Sequence, residues 1–222
     1  VCVPAALFLF PPRHHDELRR NAARVCGLLA DRLEGTASAR DVTRAMNELY
    51  ASFLNADYRP VALTAGSRAL VRVVDDLGWI SDRVTDETGE LLGAMRGTAV
   101  RVLRDSQAVL RVEDLADRAA SEADLRAALA EQRVAARGTY RDDIAEILSK
   151  PDDAAAVEVG HALLIRRTIS ATVSVTGRII RNAALADARP VWARVLGRGL
   201  PKTGIADWVM PETVAVAAIT KG

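Results

Sequence analysis

The feature that most constrains the fold of this chain is a long helical repeat between Pro151 and about Ala186. Its apolar residues are Val157, Leu164, Ile165, Ile169, Val173, Ile180 and Ala184, and apart from the adjacent pair 164 and 165 they recur at steps of four or seven residues. This spacing is the period of an α-helix, and an uninterrupted helix of that length spans roughly 50 Å. Pro151, Asp152 and Asp153 suit its start, because proline fits a first helical turn and acids complement the positive end of the helix dipole. The repeat predicts a long C-terminal helix.

Shorter repeats of the same period precede it. They predict helices over residues 16–34, 38–54, 67–84, 87–110 and 125–148. Gly35 is expected to end the first helix, and Ser38, three residues before Asp41, is expected to cap the second. Gly93 and Gly97 weaken the fourth pattern without dividing it. Residues 114–121 are interpreted as a turn or a frayed continuation.

The composition agrees with an α-helical chain. Aromatic residues make up only 4% of the sequence, while alanine, leucine, valine and arginine dominate. This usage favours helices over a strand-rich sandwich or barrel. No fixed-period repeat indicates a solenoid. We therefore expect an all-α fold, an elongated bundle of about five or six helices in antiparallel hairpins, with the long C-terminal helix and an irregular tail.

Charge and cysteine content narrow the functional classes. Thirty Lys and Arg residues against 29 Asp and Glu residues leave a formal charge of +1, so no uniform positive field is available to hold nucleic acid. The two cysteines are too few for a disulfide framework or a four-thiolate zinc site. Cys26 follows the helical register of Val25 and Leu29 and is interpreted as a small core residue.

The sequence lacks the common motifs that carry chemistry. It has no phosphate-binding loop, dinucleotide-binding glycine pattern, HExxH helix or GxSxG elbow. His14, His15 and Asp16 are close in sequence, but adjacent helical residues point about 100° apart and share a metal poorly. We expect no enzyme activity, no cofactor and no metal site.

One histidine and one group of charged residues each have two competing interpretations. His161 on the long helix is either a proton-sensitive switch or, as we prefer, a histidine satisfied at a helix packing surface. Arg72 has the spacing to form ion pairs with Asp75 or Asp76, with Arg68 one turn earlier. Such pairs usually stabilise a solvated helix face, and the functional alternative is contact with a neighbouring domain.

The first ten residues, VCVPAALFLF, are almost wholly apolar, and prolines 11 and 12 stop the run. A spanning helix needs about 20 apolar residues, and a signal peptide carries its positive charges before the apolar run. We therefore interpret residues 1–12 as the end of a transmembrane helix, followed by a basic cytoplasmic flank. Residues 13–200 are expected to form a cytosolic helical domain, and residues 201–222 an irregular tail leading towards a second membrane region.

Three stretches together resemble one family. These are LFLFPPRHHDELRRNAARVCGLLADRL (7–33), SRALVRVVDDLGWI (67–80) and GHALLIRRTISATVSVTGRIIRNAALADARPVW (160–192). They resemble the region between the two membrane halves of FUSC-type proteins, the fusaric-acid-resistance and aromatic-acid-exporter-like family, in its actinobacterial form. Glycine at position 78 departs from the family pattern beside Trp79.

The resemblance implies a cytosolic helical domain of an inner-membrane transporter that exports aromatic or other organic acids. The domain's role would be structural, assembling or gating, at the cytoplasmic face of the membrane. Its partners would be the protein's own transmembrane halves, the membrane and further copies of the chain, with no nucleic acid. The positions that match the family pattern, with structural or coupling roles, are Arg68, Asp75, Asp76, Trp79, His161, Asp187 and Arg189. The alternative is a stand-alone helical-bundle adaptor that binds a partner helix or an amphipathic ligand.

Overall fold

The computed structural model describes residues 16–54, 65–112 and 115–187, and within them it contains helices and no strand. The helices are α1 (Asp16–Glu34), α2 (Ala39–Leu54), α3 (Ala65–Arg83), the short α4 (Thr88–Leu92), α5 (Arg96–Arg111), α6 (Leu115–Leu148) and α7 (Asp153–Asp187). A 3₁₀ turn, Gly93–Met95, joins α4 to α5. Six of the helices have 16 or more residues. The all-α prediction is confirmed.

Short local signals fix several helix ends as the sequence predicts. Gly35 adopts a φ of +81°, and the amide groups of Gly35 and Thr36 donate to the carbonyls of Arg32 and Asp31, which is a Schellman ending. At the start of α2 the Asp41 amide donates to Ser38 Oγ at 3.2 Å. At the start of α7 the Ala155 amide donates to Asp152 Oδ1 at 2.8 Å.

The single helix predicted over residues 87–110 is wrong. Gly93 has a φ of +53°, a conformation that interrupts a right-handed helix and that glycine adopts without steric cost. The chain is therefore divided into α4, the 3₁₀ turn and α5. Gly97, the second glycine of the pattern, lies inside the first turn of α5 and does not interrupt it.

Residues 114–121 were interpreted as a turn or a frayed continuation, and residues 115–121 are helical. Helix α6 already begins at Leu115 and runs for 34 residues through Gly138 to Leu148. Glu122, in this early part of α6, forms an ion pair with Arg181 near the far end of α7. This contact holds the start of α6 against α7, and the local sequence pattern does not reveal it.

The core lies around α1, which packs against α2, α3 and α5. The buried apolar residues of α1 are Leu18, Ala22, Ala23, Val25, Cys26, Leu29, Ala30 and Leu33. In the third predicted helix the apolar residues at helical spacing form one stripe, and all six are buried: Leu70, Val73, Val74, Leu77, Ile80 and Val84. Cys26 is fully buried, so its interpretation as a small core residue is confirmed.

The two longest helices, α6 and α7, form a hairpin that extends beyond this core. At its inner part α6 packs against α5, and α7 packs against both α3 and α5. No residue between positions 144 and 162 is buried, whereas both helices contain buried residues on the core side of these positions. The outer part of the hairpin therefore projects as a pair of helices covered mainly by each other.

None of the described helices combines the length and the apolarity that a membrane crossing requires. The expected membrane-helix end at residues 1–12 and the expected tail at residues 201–222 lie outside the described residues. So does Arg189, one of the predicted coupling positions.

Candidate functional site

Buried polar side chains line the interface between α6 and α7. We call this group the polar seam: Gln132 and Asp143 of α6, with Arg166, Arg167 and Ser170 of α7. Gln132 has no exposed surface, and Asp143 is 4% exposed. Buried polar groups are costly unless they are paired, so these contacts restrict how the two helices can pack.

Asp143 lies between the two arginines of the seam. Arg167 Nε donates to Asp143 Oδ2 at 2.9 Å, and an Arg166 Nη2 proton is donated to Asp143 Oδ1. The Arg167 guanidinium also lies 4.5 Å from the centre of the Tyr140 ring, within the range of a cation–π contact. Burial lowers the pKa of Arg166, and the neighbouring charge of Arg167 lowers it further. One carboxylate thus holds two partly buried guanidinium groups.

Gln132 joins three helices one layer closer to the core. Its Nε2 donates to Ser170 Oγ on α7 at 2.6 Å, and its Oε1 accepts a hydrogen bond from Thr98 on α5. Both ends of the amide are satisfied, which allows it to be fully buried. The amide fixes the alignment of α5, α6 and α7.

Asp76 of α3 lies at the contact between α3 and α7, beside Thr176. Its carboxylate pairs with Arg72 Nε at 3.2 Å, so one of the two predicted ion pairs is confirmed. Asp76 is only 7% exposed, however, and therefore does not lie on a solvated face. Burial raises the pKa of the Asp76 carboxyl, and the Arg72 charge and the Thr176 hydroxyl of α7 only partly oppose this. Within the described chain, Asp76 Oδ2 has no hydrogen-bond partner.

The other predicted coupling residues are spread along the bundle. Arg68 belongs to the first turns of α3, and Asp75, three residues after Arg72, is exposed. Trp79 is half-buried, with the Arg83 guanidinium 4.0 Å from its ring centre. Asp187 is the last residue of α7.

His161 lies away from this group. It is exposed on the outer part of α7, so the expected packing surface around it is not found. It precedes Thr176, the residue that faces Asp76, by 15 positions, which is about 22 Å along a helix. The structure brings Asp76 and the middle of α7 together, and it leaves His161 apart.

The described residues offer few groups suited to covalent or metal chemistry. Among them, no three His, Cys, Asp or Glu side chains lie close enough together to hold a metal ion. Burial raises the pKa of the Cys26 thiol to about 12, which disfavours the reactive thiolate. The seam itself is suited to fixing helix positions, because its polar groups contact each other across helices.

No known family model matches this chain. Neither a curated protein nor a solved structure gives a significant match.

The seam was not predicted from the sequence. Leu125, Gln132 and Asp143 share one face of α6, because steps of 7 and 11 residues return to nearly the same direction on a helix. Leu125 is an obvious core position. Polar residues on the same helix face could therefore have been predicted to be buried. The partners on α7 carried no such signal, since Arg166 and Arg167 are adjacent in sequence and resemble an ordinary exposed pair.

Proposed function

We propose that this chain is the helical domain between the membrane halves of a FUSC-like transporter for aromatic or other organic acids. In this role it connects and positions the membrane parts and performs no chemistry itself. The resemblance of residues 7–33, 67–80 and 160–192 to that family motivates the proposal.

The contact between α3 and α7 is the structural observation that supports it best. Two of the three stretches that resemble the family, residues 67–80 and 160–192, are about 90 positions apart in sequence, yet their helices pack directly against each other. Asp76 and Thr176 meet at this contact. A coupling domain needs such a junction, because a displacement of one helix then moves the other.

The polar seam supplies a reason why motion would be transmitted along α7. Asp143 and Gln132 fix α7 against α6 at two levels about 16 Å apart along the helix, at about 1.5 Å per residue. Sliding α7 by one residue would leave buried charges and a buried amide unpaired. The two helices of the hairpin therefore move together more easily than they slide past each other.

An efflux assay tests the proposal. The gene that encodes this chain is deleted in its host, and cellular accumulation of labelled benzoate and fusaric acid is measured. We expect the deletion strain to accumulate more of at least one aromatic acid and the intact gene to restore export. Unchanged accumulation of both acids, or a gene without several hydrophobic spans on each side of this segment, would contradict the proposal.

A second candidate is the helical-bundle adaptor, and the projecting end of the α6–α7 hairpin favours it. Leu148, Val157 and Leu164 are 78%, 71% and 54% exposed there. A partner helix would cover such side chains. The adaptor predicts that the chain without residues 1–10 is monodisperse and binds its partner unchanged.

A further inference from the structure

Four arginines form a row on the exposed face of α6: Arg126, Arg133, Arg137 and Arg141. All four are exposed. At about 100° per residue they fall within a sector of about 80° around the helix, and they extend over about 22 Å of its length. Within the described part of the chain, none of them forms an ion pair. We call this group the arginine stripe.

The acidic residues of α6 lie outside this sector. Asp124, Glu131 and Asp142 fall about 140–160° from the direction of Arg126. Glu131 pairs with Arg101 of α5 at 2.6 Å, and Glu122 and Asp143 are paired with arginines of α7. The acids are thus used in contacts between helices or placed on another face, and the stripe remains uniformly positive.

Apolar side chains share the sector with the arginines. Val134 is 70% exposed, Ile144 is 39% exposed and Leu148 is 78% exposed. In helical projection these three side chains and the four arginines together occupy a sector of about 100°. A helix face that combines arginines, apolar residues and no acids is typical of helices that lie in the headgroup region of a membrane.

We propose that this face of α6 binds negatively charged phospholipid, with the arginines contacting headgroup phosphates and the apolar side chains entering the acyl boundary. Lipid fits better than nucleic acid, because exposed leucine, isoleucine and valine have no favourable contact with a phosphate backbone. The formal charge of only +1 for the whole chain also limits attraction to a polyanion elsewhere on the surface. The proposal is independent of transport, since lipid binding would persist in a chain that exports nothing.

Vesicle flotation with the 222-residue chain tests the proposal. Vesicles of phosphatidylcholine are compared with vesicles that also contain phosphatidylglycerol. The apolar residues 1–10 contribute to both, so the measured quantity is the increase in affinity caused by phosphatidylglycerol. The stripe variant is R126Q/R133Q/R137Q/R141Q, and the matched control R40Q/R44Q/R96Q/R111Q removes four exposed arginines elsewhere.

We expect the stripe variant to lose on the order of 100-fold of the phosphatidylglycerol-dependent affinity and the control to lose less than about threefold. Glutamine keeps the helix propensity of arginine, and unchanged circular dichroism verifies the fold. Equal losses in both variants, or binding that does not depend on phosphatidylglycerol, would overturn the proposal. Preferential release of the chain from vesicles by duplex DNA, at equal phosphate concentration, would overturn the lipid assignment in favour of nucleic acid.

Discussion

Arg167 of α7 donates a hydrogen bond of 2.9 Å from Nε to Oδ2 of Asp143 on α6, across the turn of the long hairpin. Arg166 occupies the other carboxylate oxygen. Because both guanidinium groups are mostly shielded from water, the carboxylate is the group that makes their burial tolerable. This relationship determines how the two longest helices are aligned.

Replacing Asp143 with alanine should destabilise the protein strongly. Two arginines would remain partly buried without their counter-charge, and we expect a loss of about 3–5 kcal/mol in the free energy of unfolding. Urea denaturation followed by circular dichroism measures it. The control is Glu48→Ala, which removes the exposed pair with Arg24 and should cost no more than about 1 kcal/mol.

The triple variant D143L/R166M/R167M separates the charge effect from loss of packing. Replacing all three charges by apolar groups should recover most of the stability lost in D143A. A triple variant as unstable as D143A would show that the ion contacts are not the origin of the effect.

Gly177 should not tolerate a methyl group. A Cβ at this position would lie 2.8 Å from Val102 Cγ1 and 3.2 Å from a Leu129 methyl carbon, so these side chains or α7 itself would have to shift. We expect Gly177→Ala to lower the free energy of unfolding by about 1–3 kcal/mol. Gly138→Ala is the matched control, because nothing lies within 4 Å of its Cβ, and it should stabilise α6 by about 0.5–1 kcal/mol. Equal thermal shifts in the two variants would contradict this account.

Asp76 should make stability depend on pH with a definite sign. Burial raises its pKa in the folded state, so the folded protein binds a proton more readily than the unfolded chain does. The stability that depends on this proton is complete below the ordinary carboxyl pKa and is lost as the pH rises through the raised folded-state pKa.

Asp76→Asn removes this titration. The variant should gain stability relative to the native protein as the pH increases across that window, and the difference should be constant at neutral pH and above. Thermal melts of both proteins at several pH values measure the difference. A difference that is flat throughout the acid range, or of opposite sign, would refute the assignment.

Cys26 should be unreactive while the protein is folded. Its thiol is fully buried, and burial raises its pKa to about 12. With Cys2 replaced by serine, Ellman's reagent at pH 8 should titrate no thiol in the native protein and one in denaturant. Rapid reaction without denaturant would mean that α1 opens readily.

Much of the fold could be predicted because helical periodicity is a local property. The stripe from Leu70 to Val84 and the N-cap at Ser38 both depend on residues within a few positions of each other. Local periodicity did not predict the break at Gly93, since whether a glycine continues a helix or adopts a positive φ depends on what packs beside it. It also failed at residues 115–121, where the partner of Glu122 is 59 positions away.

The candidate site was far less predictable. The ion pair between Arg72 and Asp76 follows from their spacing of four residues. The burial of Asp76 results from the packing of α7 against α3, which this spacing does not reveal. For His161 the outcome is the reverse. The sequence favoured a packing surface, but the residue lies on the projecting part of α7 and is exposed.

By itself the sequence determined the helical class, most helix ends and the apolar faces, because these arise from hydrogen bonding and side-chain directions within single helices. Only the tertiary structure decided which polar residues are buried. Asp143 and Gln132 resemble exposed residues until α7 and α5 supply Arg166, Arg167, Ser170 and Thr98 as partners. Pairing across helices depends on their relative positions, and those positions are set by the packing of the whole core.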